Sequence, residues 1–159
     1  MNRSGANLAL LLIGGFRTLV DAAIIELARQ GHEDVRPVHE FAMRAIADGA
    51  DNASELGRRL SVSKQAAAKT IALLQSRGYV QRAADPTDAR RKRLLVTPLG
   101  LDMMRQGEAI FDALRQQWEQ KIGAPQLAML EAYLHALVGD APPGFDMPGW
   151  FAQPEEGPD

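Results

Sequence analysis

The chain contains no cysteine. That absence removes disulfides, thiol nucleophiles, thiol redox sensing and thiolate zinc sites together. Histidine is nearly as scarce: His32, His39 and His135 are scattered and form no metal-ligand cluster, so no metal and no other cofactor is expected. No Ser/His/Asp order, phosphate-binding glycine loop or carboxylate pair stands in a plausible pocket context, which speaks against an enzyme. A membrane span is not expected either. The apolar run from Leu8 to Phe16 follows Arg3 as in a signal peptide, but Gly14-Gly15-Phe16-Arg17 offers no small-x-small cleavage site, and Arg17 ends the run short of a bilayer's width. The expectation is a cytoplasmic protein without a membrane partner.

What is present suits a globular protein. The 159 residues allow one domain, with or without an appended oligomerisation element, and 46% apolar with 24% charged residues can bury a core in water. The formal net charge of −2 hides an asymmetry. Between Arg58 and Arg93 stand ten Lys/Arg against Asp85 and Asp88, a local charge of +8 that leaves −10 for the remainder. Such a segment is the footprint of a nucleic-acid face, because lysine and arginine displace condensed counterions from phosphates. Charge alone does not separate that reading from a solvated charge run.

Periodicity supplies the elements. Residues 7–30 carry two apolar stripes, Leu8, Leu12, Gly15, Leu19, Ala23 and Ile13, Phe16, Val20, Ile24, Leu27, so this helix needs partners on two sides. Gly31 caps it, and Pro37 starts a second helix over 37–48 from the first turn, where its missing N–H costs nothing. Asn52 and Glu55 have the spacing of a capping box and open a short helix ending near Leu60. "SVS" is a tight turn, after which Ser63 caps a helix over 64–77 closed by Gly78. Two helices three residues apart have the layout of a helix-turn-helix, with Leu56, Leu60, Val62, Ala67 and Ile71 facing inward and Gly57 permitting a close crossing. "YVQRA" and "RLLVT", joined by a polar Pro-containing turn, predict a hairpin. A long helix from Pro98 to Gly123 carries a seam of Met104, Gly107, Phe111, Leu114 and Trp118, and Pro125 begins a last helix with Leu127, Leu130, Leu134 and Leu137. Residues 139–159 form an irregular Pro/Gly-rich tail whose Phe145, Met147, Trp150 and Phe151 either pin it to the body or are incidental.

The fold class is therefore mainly α with a small β-hairpin wing: a winged helix-turn-helix with N- and C-terminal dimerisation helices. The divisions are 1–36, 37–98, 99–138 and 139–159. The wing motifs are the specific part. "L-x-x-R-G-Y-V-x-R" from Leu74 to Arg82, "D-P-x-D-x-R" from Asp85 to Arg90, and "L-x-x-T-x-x-G" from Leu94 to Gly100 follow the helix-turn-helix in order. With these motifs the chain resembles the MarR family of bacterial transcriptional regulators, as helical layout over residues 7–138.

The resemblance implies a homodimer that binds double-stranded DNA at a pseudo-palindromic operator and represses transcription until a small effector loosens it. It implies that Arg90 enters the minor groove with its guanidinium held by Asp88, while Arg91, Lys92 and Arg93 hold phosphates. A narrow minor groove rewards an inserted guanidinium on physical grounds as well. In the recognition helix Ser63 is the cap, and Lys64, Gln65 and Lys69 are the polar groove-facing residues. Ala66 and Ala68 stand where the family often has hydroxyl residues, and Lys69 where it often has arginine. Alanine still meets a thymine methyl, and such a surface shifts sequence choice towards DNA shape.

The dimer is expected to rest on Leu8, Leu12, Leu19, Leu114, Trp118, Leu130 and Leu134. The resemblance also implies a crevice for a small aromatic or anionic effector near Phe16, Val20, His39, Met43, Met103 and Phe111, although His39, on the helix that begins with Pro37, reads more readily as a packed residue bonded to backbone. Two other functions remain open from sequence: a winged-helix regulator without an effector, and an architectural protein that binds DNA without sequence choice.

Overall fold

The structure is a computed structural model that describes residues 4–139. The four tail aromatic and methionine positions named above, Phe145 to Phe151, lie outside the described residues. Each helix ends where a capping group stops it. Helix α1, Gly5–Arg29, starts earlier than periodicity suggests because the Ser4 side chain accepts the Asn7 N–H at 3.2 Å, and Gly31, at φ +94°, lies just past its end. Helix α2, Pro37–Ala47, closes at Gly49, with the Gly49 N–H donating to Ile46 O at 3.0 Å and the Ala50 N–H to Ala45 O at 2.9 Å.

Helix α3, Ala53–Leu60, forms half of the expected capping box. Asn52 Oδ1 accepts the Glu55 N–H at 2.9 Å, but the Glu55 carboxylate turns to Arg59 and Arg58 instead of reaching back. Two guanidiniums three and four residues on outcompete one backbone amide for it. They also hold the Glu55 carboxyl below its usual range, Arg59 most of all. Helix α4, Lys64–Ser76, begins at Ser63, whose hydroxyl oxygen accepts the Ala66 N–H at 3.1 Å. Strands β1, Val80–Ala84, and β2, Lys92–Val96, pair antiparallel from Val80↔Val96 to Ala84↔Lys92. They lie one residue off the expected runs because Tyr79 still belongs to the end of α4: its N–H closes on Leu74 O at 2.9 Å, and its carbonyl takes the Thr97 N–H at 2.9 Å. Helices α5, Pro98–Ile122, and α6, Ala124–Val138, meet at Gly123, whose φ of +97° makes the corner.

The chain divides into two compact units. One holds α1, the first turn of α2, α5 and α6; α1 packs on α5 and α5 on α6. Its core is Ala23, Leu27, Met103, Ile110 and Leu127. The buried stripe of α5 is thus Gly100, Met103, Gly107 and Ile110, whereas Met104, Phe111, Leu114 and Trp118 of the expected seam are only half-buried. Arg115 straps α6 to α5 by a two-pronged bond to Glu131, at 2.7 and 2.9 Å, which lowers the Glu131 carboxyl's pKa. Of the expected dimer residues, Leu8 at 58% and Leu12 at 47% exposure are open, Leu130 is exposed, and Leu19 and Leu134 are half-buried.

By length and composition α1 is sufficient to cross a membrane, with a mean hydropathy of 2.0 over 18 residues. The expectation that Arg17 cuts the apolar run short is corrected here: the helix continues unbroken through Leu19, Val20 and Ile24.

The second unit holds the rest of α2, α3, α4 and the hairpin. Leu56, Leu60, Ala67, Ile71, Leu74, Val80 and Leu94 are buried, so the helix-turn-helix and the hairpin share an apolar centre. The turn between α3 and α4 passes Gly57 so closely that a Cβ there would lie 2.9 Å from the Val62 carbonyl oxygen. Alanine would gain about 1 kcal/mol of helix propensity, but a backbone oxygen inside van der Waals contact cannot swing away as a side chain does. Gly57→Ala is therefore expected to destabilise this unit by about 1–3 kcal/mol net, the usual cost of overpacking, read as a lower urea midpoint with unchanged slope.

Candidate nucleic-acid interface

The face that α4 leaves open follows from its apolar spacing. Ala67, Ile71 and Leu74 point into the unit and are 0%, 3% and 1% exposed, so the first turns must present Lys64, Gln65, Ala66, Ala68 and Lys69 outward, and all five are exposed. The free N–H groups at this end add a positive dipole beside the two lysines. Ser63 is exposed too, but its hydroxyl oxygen is engaged in the cap. Thr70 Oγ1 donates back to Ala66 O at 3.1 Å and so adds no polar group to that face.

The wing turn is built by its two aspartates. Asp85 Oδ1 accepts from both the Oγ1 and the N–H of Thr87, at 2.7 and 2.8 Å, and these bonds hold its carboxyl below the usual aspartate range. Asp88 Oδ1 accepts the Arg90 backbone N–H at 3.0 Å, its carbonyl accepts the Arg91 N–H at 3.0 Å, and the Asp85 N–H closes the loop onto Arg91 O at 2.8 Å. The side-chain fork expected between Asp88 and the Arg90 guanidinium is therefore replaced by a bond to the Arg90 backbone. A carboxylate two residues before an amide closes a local turn more readily than it reaches a long side chain. Asp88 sets the path of the chain at Arg90, which is exposed at the turn.

The four consecutive cations have different surroundings. Arg90, Arg91 and Lys92 are exposed, but Arg93 is half-buried and its Nε is enclosed without a hydrogen-bond partner. Arg91 pairs with Asp51, forty positions earlier, a contact that no local spacing announces. Arg59 was also silent in the sequence. Its Nη1 donates to Ala45 O and Asp48 O, at 3.2 and 3.0 Å, and so satisfies the carbonyl end of α2.

The expected effector residues are not equivalent. Phe16 is 52% exposed, while Met43 and Met103 are fully buried, each in its own unit. His39 is 8% exposed and accepts the Arg36 N–H on Nδ1 at 3.0 Å, the packed alternative weighed above. Val20 and Phe111 do line one cavity with Ala23, Leu27 and Val35, but at about 20 Å³ it holds a single water. The roomier space lies elsewhere in the same unit. A groove of about 560 Å³ between α1 and α5 is lined by Ile25, Arg29, Gln106, Ile110, Leu114 and Gln117 among others. Among the described residues no cluster of three or more His, Asp or Glu side chains is arranged to hold a metal.

A family model described as MarR family matches residues 41–91, the end of α2 through the wing turn. No curated protein sequence matches the chain. Among solved structures, a MarR-family transcriptional regulator from Rhodococcus sp. RHA1 is similar at 17% identity and a TM-score of 0.62, over 87% of this chain and 99% of that one. A mutant of MarR from E. coli is 22% identical with a TM-score of 0.64, covering 83% and 96%. FabT from Streptococcus pneumoniae, solved in complex with DNA, is 17% identical with a TM-score of 0.68, covering 85% and 95%. The wing motifs and the matched stretch agree with the fold: residues 41–91 match the MarR family model, and the chain has the fold of the MarR-family structures.

Proposed function

We propose that the chain is a homodimeric, sequence-specific regulator of transcription in the cytoplasm: a repressor that binds a pseudo-palindromic DNA operator and is loosened from it by a small effector. The observation that carries this reading is the pairing, in one unit, of an exposed cationic N-terminal half of α4 with a turn that presents Arg90. Lys64, Gln65 and Lys69 read a major groove while Arg90 reaches the adjacent minor groove, and Lys92 holds phosphate. That the similar FabT structure is a DNA complex supports it.

A second copy is the occupant that suits the apolar surface of the other unit. Leu8, Leu10, Leu11, Leu12 and Phe16 on α1, and Met129, Leu130, Tyr133 and Leu137 on α6, are all exposed in the single chain. A bilayer suits this surface less well, because α1 also carries Arg17 and Asp21, whose charges are costly within hydrocarbon. The α1–α5 groove has the size of a small-molecule site, and its apolar Ile25, Ile110 and Leu114 beside the Glu26–Arg29 pair suit a small aromatic effector with a polar group.

Binding of an operator duplex and a random duplex, compared across salt concentrations, tests the reading. The operator is expected to bind more tightly at every salt, as half-sites about 10 bp apart, centre to centre. Equal affinity for both duplexes would instead make the protein an architectural DNA binder. Arg90→Ala should weaken operator binding and leave the unfolding midpoint unchanged, since the tip contributes little to the core. Asp88→Ala should weaken it too, by releasing the turn that presents Arg90. Gln65→Ala should relax preference at particular base pairs, by about 1–3 kcal/mol for a bidentate contact.

For the dimer, sedimentation of the wild type at micromolar concentration should show two copies. Leu12→Glu should yield a folded monomer, because an unpaired carboxylate in an apolar interface costs at least several kcal/mol. A wild type that sediments as a stable monomer contradicts the dimer.

A further inference from the structure

Arg91 is set apart from the other cations of the wing. Both of its backbone groups close the turn: its N–H donates to Asp88 O at 3.0 Å and its carbonyl takes the Asp85 N–H at 2.8 Å. Its guanidinium pairs with Asp51 Oδ2. Asp51 is a firm anchor. It follows Ala50, which is 0% exposed, and precedes the α3 cap Asn52, whose Nδ2 donates to Asp51 Oδ1 at 2.7 Å. Asn52 in turn caps Glu55, and Arg59, paired with Glu55, holds the end of α2. A continuous run of polar contacts thus leads from the wing turn to the α2–α3 corner, and α3 carries α4 on its other side.

We propose that Arg91 is a positioning residue rather than a DNA contact: its ion pair with Asp51 ties the wing to the start of α3 and thereby fixes where Arg90 stands relative to α4. A two-stranded hairpin is marginal by itself and pivots about its base. Leu94 and Val80 hold that base through the apolar centre, but nothing apolar holds the turn. The Asp51 tie supplies the second point of attachment. It also neutralises one of four adjacent cations that repel one another. The partners are unequal in freedom, Asp51 being 22% and Arg91 58% exposed, so most of the ordering cost falls on one side chain. For its effect on affinity the proposal rests on the DNA-binding reading; for its effect on the wing it does not.

Two measurements test it. In the free protein, amide hydrogen exchange at Thr87, Arg90 and Arg91 should quicken in Asp51→Asn and in Arg91→Ala, and no further in the double variant. Asp51→Asn keeps an oxygen for Asn52 and so spares the α3 cap. On operator DNA, each single variant should bind about two- to fivefold more weakly, as for other exposed ion pairs. The slope of log K against log salt should not change, and Arg91→Lys should recover part of the loss. Lys92→Ala, by contrast, should reduce the slope by about 0.9, the signature of one lost phosphate contact.

The sign for Asp51→Asn is decisive, because deleting a negative charge near DNA tightens binding if electrostatics alone acts. Tighter binding by Asp51→Asn, with a slope reduced by about 0.9 in Arg91→Ala, would show that Arg91 grips phosphate and would overturn the proposal. So would unchanged wing exchange in Asp51→Asn. If the wild type binds no duplex, the DNA-binding reading fails, and the exchange result decides the tie by itself.

Discussion

The exposed cationic face of α4 depends on how closely α3 and α4 are allowed to approach. At Gly57 the missing side chain lets the turn fold back against the helix that precedes it, and only then can Leu56, Leu60, Ala67 and Ile71 close over one another. A helix with its apolar stripe held this firmly has no choice of face to expose. The outward position of Lys64, Gln65 and Lys69 is therefore a by-product of packing, set by residues buried beneath them. The same centre receives Val80 and Leu94, so the hairpin is rooted in the body that orients α4.

Charge organises what packing leaves loose. Three aspartates surround the wing and each performs a separate task. Asp85 and Asp88 accept hydrogen bonds from nearby N–H and hydroxyl groups and so shape the turn. Asp51 acts at a distance in sequence and selects one of the four consecutive cations, Arg91. The chain as a whole is slightly acidic, and the basic segment is strongly positive because acidic residues are concentrated outside it. Such a distribution steers a polyanion to one surface while the remainder repels it.

Much of this was legible from residues alone, and the exceptions have a common cause. The helix-turn-helix, the cap at Ser63, the corner at Gly31 and the hairpin follow from local chemistry, because a cap or a turn is decided within four residues. The Asn52–Glu55 box was half right, since two arginines on the next turn competed for the same carboxylate. The side chain of Asp88 was assigned to the wrong part of Arg90, guanidinium instead of backbone, as family resemblance names residues without specifying atoms. On α5 the stripe buried within the unit, Met103, Gly107 and Ile110, runs beside the seam of Met104, Gly107, Phe111, Leu114 and Trp118 read from spacing, because apolar residues at adjacent positions make two stripes that spacing does not rank. Arg91–Asp51 and the Arg59 bonds to Ala45 and Asp48 join distant positions, and no single-sequence pattern carries them. The roomy groove beside Ile25 and Leu114 likewise appears only when α1 and α5 are laid side by side.

The order of the elements has a consequence for how the chain is made. Helix α1 finds its packing partner in α5, which begins at Pro98, whereas 41–97, the described part of the second unit, is one uninterrupted stretch. As the polypeptide leaves the ribosome, that stretch can therefore complete its core while α1 still waits for its counterpart. During this interval the long apolar helix α1 is uncovered, with leucines at 8, 10, 11 and 12 facing solvent and competing attachments. The nascent chain thus passes through a stage in which its helix-turn-helix lobe is finished and its first helix is an orphan, a natural client for whatever shields hydrophobic segments during synthesis.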